Sequence, residues 1–133
     1  MIGSIMTSYW ADASRQIELQ EVASQMGSTI QQLYLSLNRM EVLPGTVTQA
    51  STFPTEIASY PYIAKVSLRT SELNSKIMLI NLTLQDVGDT VIVQTSLGPN
   101  VLLDEESLFN SVSPSASIKV QKFANGTLLF SFG

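Results

Sequence analysis

Apolar residues recur every three or four positions through the first third of the chain, at Leu19, Val22, Met26, Ile30, Leu33, Leu37 and Met40. That period gathers them on one stripe of an α-helix. It predicts one long amphipathic helix over residues 10–41, with Asp12 capping its start and Pro44-Gly45 stopping it. At about 1.5 Å per residue such a helix is roughly 45 Å long, more than a small globular domain needs. An overlong helix suggests attachment to something at its free end. Residues 1–9 then read as a cloning remnant or as the junction with a membrane anchor, and residues 10–133 as a single α+β domain.

After Gly45 the period changes to two and the β-branched and aromatic content rises. Tyr62, Ala64, Val66 and Leu68 alternate with Ile63, Lys65 and Ser67, the pattern of a half-buried strand. Further strands are predicted over 76–84 and 90–96, joined through Asp86-Val87-Gly88-Asp89, then over 101–103, 118–122 and 127–132. Asn125-Gly126 is a strong hairpin signal, because both residues tolerate positive φ. The serine-rich segment 107–117, with Pro114, reads as a loop. The expected architecture is a helix packed on an antiparallel β-meander of four to six strands, with the β region over 46–133.

Composition narrows the chemistry. The 133 residues include no histidine and no cysteine, which removes imidazole bases, Ser-His-Asp arrangements, zinc-thiolate sites and disulfides. The expectation is a protein that is not an enzyme and holds no cofactor. Seven Lys and Arg against eleven Asp and Glu give a net charge of −4, so a phosphate backbone is repelled and nucleic acid is not an expected partner. Only 14% of residues are charged, while 29 are Ser or Thr; a cytosolic domain usually carries about 25% charged residues. This hydroxyl-rich surface points to an exported or cell-surface domain. No run of eighteen apolar residues is present, and the start lacks the basic flank of a signal peptide.

Four features invite functional readings. Asp86 with Asp89, and Asp104 with Glu105 and Glu106, offer oxygen ligands for calcium, but neither group has EF-hand spacing and solvated acidic turns account for both; no metal site is assigned. Asn125-Gly126-Thr127 and Asn81-Leu82-Thr83 match the N-glycosylation pattern, Asn125 being the better acceptor because it lies in a turn. Tyr9-Trp10 at the helix start fits the aromatic belt where a helix leaves a membrane, and equally a packing aromatic near a terminus. The helical stripe fits a core-facing surface first and a coiled-coil partner second.

The helix with Tyr9-Trp10-Ala11-Asp12 and Gln16-Ile17-Glu18-Leu19-Gln20-Glu21-Val22-Ala23, followed by Phe53-Pro54-Thr55-Glu56-Ile57, Tyr60 and Tyr62-Ile63-Ala64-Lys65-Val66-Ser67-Leu68, resembles archaeal type IV pilin-like secreted proteins. In that family a hydrophobic N-terminal helix continues into a polar one, and a segment of this kind opens a small β domain. The hydrophobic helix and peptidase site that define the family are not in this chain, and Phe53 stands where the pattern prefers Leu. The resemblance implies an extracellular, membrane-anchored subunit of a surface filament, anchored by a segment preceding Tyr9 and partnered by its own copies or by other pilin-like subunits. On that reading Leu19, Val22, Met26 and Ile30 meet neighbouring helices, while Leu33, Leu37 and Met40 pack on the subunit's own sheet.

Two other classes stand beside it. A membrane-anchored sensory or solute-binding ectodomain should show a pocket with convergent polar groups between helix and sheet, and an archaellum-associated β-sandwich contacting the S-layer should retain little of the long helix. A filament subunit should leave an apolar helical stripe uncovered.

Overall fold

The computed structural model describes residues 2–104, 108–114 and 116–133, with side chains from Ala13 onward. One helix, α1 (Ile2–Leu37), precedes eight strands: β1 (Gly45–Ala50), β2 (Tyr62–Thr70), β3 (Lys76–Leu84), β4 (Thr90–Leu97), β5 (Val101–Leu103), β6 (Leu108–Asn110), β7 (Ser117–Lys122) and β8 (Leu128–Phe132). The class is α+β, as expected. The single meander is not what forms.

The strands divide into two four-stranded sheets, ordered β4-β3-β2-β6 and β1-β7-β8-β5. Only β2, β3 and β4 form a meander, with Tyr62 opposite Leu84 and Lys76 opposite Leu97. In the second sheet β5 runs parallel to β8, Val101 beside Leu128, and β1 pairs antiparallel with β7 across about seventy residues of sequence. A parallel neighbour requires a long crossover, which the segment between β5 and β8 supplies. Part of it, β6, pairs with β2, so the predicted loop over 107–117 contains a strand.

The helix begins at Ile2, so Asp12 lies within it rather than at its cap. It ends at Leu37, four residues short of the predicted end. The early stop has a physical cause. Lys122 Nζ, at the end of β7, donates to the carbonyls of Leu37 at 2.8 Å, Arg39 at 2.7 Å and Val42 at 2.9 Å. No basic residue stands in the last helical turn, so this distant ammonium supplies the cation that a helix C-terminus favours and satisfies carbonyls beyond it. Asn38, next after the helix, is drawn into side-chain bonding: its amide donates to Tyr34 Oη at 3.0 Å and its carbonyl accepts from Asn100 Nδ2 at 2.7 Å.

Helix and sheets share one core. Leu19, Val22, Ala23, Met26 and Ile30 of α1 meet Met78, Ile80, Leu82 and Leu84 of β3, together with Ile118, Val120, Leu128 and Phe130 of the second sheet. Close contact is specified at two places. Thr95 Oγ1 donates to the Gly27 carbonyl at 3.1 Å, and a Cβ on Gly98 would stand 1.9 Å from Tyr34 Oη, so a larger residue there would displace the tyrosine.

Candidate functional site

The division of the helical stripe expected from the sequence holds for Leu33 and Leu37 and fails for its other members. Leu19, Val22, Met26 and Ile30, expected to face neighbouring helices, are buried in the chain's own core, Leu19 at 0% exposure. Of the residues expected to pack on the sheet, Leu33 and Leu37 lie at the core margin and Met40 is 100% exposed. The stripe is continuous in sequence, but α1 lies along the meander only up to the point where Lys122 and Asn38 end it. Met40 lies beyond that point.

The outward side of α1 is polar and almost uncharged between its middle and its end: Ser24, Gln25, Ser28, Gln31, Gln32 and Ser36 are exposed, with Leu35 among them. Ile17 is exposed near the start. From Ala13 onward no uncovered apolar stripe is present among the described residues. Tyr9 and Trp10 are helical, but their side chains lie outside the described residues. No helix among the described residues is long and apolar enough to cross a membrane.

Where α1 first meets the β domain among the described residues, Arg15 Nε donates to Asp89 Oδ2 at 2.7 Å, and Gln16 reaches the Thr90 carbonyl. The Arg15 guanidinium also stands 6.0 Å from the Tyr60 ring centre, within cation–π range. One turn on, Glu18 Oε2 accepts the Ala58 N–H at 3.1 Å. Ala58 and Ser59 form the tight turn between Ile57 and Tyr60, both at positive φ (52° and 71°). Neither is a glycine, so this turn holds strain that the surrounding contacts must fix. Beneath it Ile57 and Tyr62 are buried, and Tyr62 Oη donates to the Pro54 carbonyl. Burial pushes the Tyr62 phenol up to about 12 from its ordinary value of 10.0. The ring lies stacked 6.4 Å from Phe109, tying β6 to the meander.

Of the two acidic turns, only that over 86–89 lies wholly within the described residues. Asp89 is committed to Arg15, and Asp86 sits at positive φ in the same turn. Glu105 and Glu106 lie outside the described residues. Among the described residues no three potential ligands stand together. The two sequons differ. Asn81 lies mid-strand in β3, half-buried, its Oδ1 accepting from Thr90 at 2.7 Å and Thr83 at 3.3 Å. Asn125 is exposed in the β7–β8 turn, where its Oδ1 accepts the Thr127 N–H at 3.0 Å. Only Gly126 has positive φ there (88°), and Phe123 bonds Thr127, so the connection is a three-residue loop rather than the two-residue Asn-Gly turn.

Two of the depressions that border α1 lie on its β4 side and at its end. One, about 340 Å³, lies between the helix and β4, lined by Ser24, Gln31, Gln94 and Thr95; its one buried hydroxyl, Thr95, is already bonded to Gly27. The other, about 400 Å³, opens at the helix end, lined by Arg39, Met40, Leu43, Pro44, Phe123 and Asn125 among others. Its apolar side chains are among the most exposed in the chain, Met40 fully and Leu43 at 82%. The sequence carried no signal for Lys122, Tyr34, Asn38 and Asn100, which build this end, because all four act through partners at least 26 residues away or through one another.

Comparison with known protein families, characterised proteins and solved structures finds no match to this chain.

Proposed function

We propose that the chain is a non-enzymatic structural or accessory subunit of a cell-surface filament of the type IV pilus-like kind, anchored and assembled through its N-terminal helix. The observation that carries this reading is the relation of α1 to its β domain. The helix is 36 residues long, yet its described buried positions begin only at Leu19 and end at Tyr34. About 1.5 Å per residue makes the part leading to Leu19 some 25 Å long. A helix that runs on for about 20 Å ahead of Arg15, the first of its residues described in contact with the β domain, suits an assembly in which that leading part contacts membrane or neighbours. The low charge and high hydroxyl content of the surface agree with an extracellular location.

The test is location and state of assembly. An epitope placed in the exposed β2–β3 turn at Leu73 and Asn74 leaves the core untouched, and cells carrying the tagged chain are sheared and the released material sedimented. The protein is expected in sheared, sedimenting filaments. Recovery only from the cell interior, with none in the sheared fraction, would overturn the reading.

A further inference from the structure

Charge is sorted along the helix axis. The contacts of Arg15 with Asp89 and of Glu18 with Ala58 place the β3–β4 turn and the segment 51–61 near the middle of α1, at the start of the part of the helix that lies on the β domain. The Tyr34–Asn100 bond and the Lys122 contacts place the β4–β5 turn and the end of β7 at the helix end. Because Lys76 pairs with both Thr70 and Leu97, the β2–β3 hairpin lies at the helix end too. The start therefore gathers Glu18, Glu21, Glu56, Asp86 and Asp89 against Arg15. The helix end gathers Arg39, Arg69, Lys76 and Lys122 against Glu41 and Glu72. A chain that is acidic as a whole is thus bipolar.

Shape follows the same axis. At the acidic end the turn Asp86-Val87-Gly88-Asp89 carries an exposed valine at its tip, between carboxylates. Its form is fixed by positive φ at Asp86 (74°) and Gly88 (77°) and by the Leu84 N–H donating to the Asp89 carbonyl at 2.8 Å. At the basic end lies the cleft of about 400 Å³ with Arg39 at its rim and Met40, Leu43 and Phe123 in its wall. An apolar tip between carboxylates complements an apolar cleft edged by cations.

We propose that the Asp86–Asp89 turn of one copy of this chain seats in the helix-end cleft of the next, so that copies stack head to tail along α1. The contact joins two different surfaces and does not close on itself, and a heterologous contact of that kind builds a filament. The inference deepens the filament reading and rests on it. It assigns the contact between β domains, where that reading assigns only the role of the helix. Asp86 meets Arg39 across the junction, Val87 displaces water from Met40 and Leu43, and opposite charges set the direction of stacking.

The chain has no cysteine, so every disulfide joins introduced thiols and the positions it joins identify the contact. Val87 and Leu43 stand at opposite ends and cannot pair within one copy. In the full chain carrying Val87→Cys and Leu43→Cys, mild oxidation is expected to give a ladder of dimers, trimers and longer species whose disulfides, mapped by proteolysis and mass spectrometry, join position 87 of one copy to position 43 of the next, while each single variant stops at dimers. Adding Arg39→Glu should reduce the ladder at least tenfold, and raising the salt concentration should weaken it. Both thiol positions are exposed, and circular dichroism checks that the variants fold. A double variant that stops at dimers overturns the proposal, as does a ladder joined by like positions or one indifferent to Arg39→Glu and to salt. Sheared surface filaments without the Val87–Leu43 cross-link overturn this contact and leave the filament reading standing. A ladder from a protein that never reaches the cell surface supports the stacking and overturns the filament reading.

Discussion

The two sheets differ in what covers them. In the sheet β4-β3-β2-β6 the three long strands have eight or nine residues, and α1 lies across one face, so every second residue of β3 from Met78 to Leu84 is buried. In the sheet β1-β7-β8-β5 no strand exceeds six residues. Its outermost strand, β1, is exposed at all six positions although fully paired with β7. Backbone pairing alone therefore does not generate a core. Burial comes from what lies over the face, and here the helix packs on β4 and β3 of one sheet and reaches the other only at β7.

The sharpest way to break this comparison is to attack the cover. Leu19→Asp places an unpaired carboxylate in the core under α1 and should destabilise the chain by about 4 kcal/mol or more, leaving it unfolded by circular dichroism at ambient temperature. Leu35→Asp, on the outward side of the same helix, should stay within about 0.5 kcal/mol of the parent. Equal effects at the two positions would mean that α1 is not held to the meander by the face described.

Alkaline titration reads the covered sheet from its other end. The Tyr62 phenol, raised by burial to about 12, keeps its proton in the folded chain after the unfolded chain has lost it near pH 10. Stability contributed by this group is fully present below pH 10 and falls as pH rises from 10 towards 12, at up to about 1.4 kcal/mol per pH unit. Urea titrations at pH 9, 10 and 11 should show the decline, and Tyr62→Phe should flatten it. An unchanged slope in that variant would place the titrating group elsewhere.

A smaller effect tests how the second sheet is joined to the helix. Lys122→Met keeps most of the side-chain volume and removes the ammonium from three carbonyls, for an expected loss of about 1–2 kcal/mol in urea unfolding. Its hydrogen-exchange signature should be local, with protection lost first in the last turn of α1 and in β7, and with β3 unchanged.

These differences explain how far the molecule was legible in its sequence. The α+β class, α1 and the strands β2, β3 and β4 follow from local periodicity, because the partner of each long strand is its neighbour in the chain and the cover is the adjacent helix. The second sheet depends on pairings such as Val47 with Val120 and Val101 with Leu128, which no window of sequence contains. The helix end was misplaced for the same reason, since the residue that terminates it is Lys122. The reversed assignment of Leu19 and Met40 shows the remaining limit. Periodicity identifies a stripe, but which part of a stripe is covered depends on where the sheet stands along it.

The smallest effect follows from β1. Val47 projects on the same side of the second sheet as Val120 and Ile118, by register, yet remains 41% exposed while those two are buried. Val47→Thr exchanges a methyl for a hydroxyl of nearly the same shape and keeps the β-branch that suits a strand. If the face over β1 is open to water, the hydroxyl is solvated there and stability should change by less than about 0.5 kcal/mol. Val120→Thr, two residues from the end of β7, places the same hydroxyl in the shared core and should cost about 1–3 kcal/mol. The ratio of the two losses, measured as shifts of the urea midpoint at constant m, reports how sharply cover ends between β7 and β1. In an assembled filament that ratio should fall if a neighbouring copy lies over β1, because Val47 would then be buried as Val120 is.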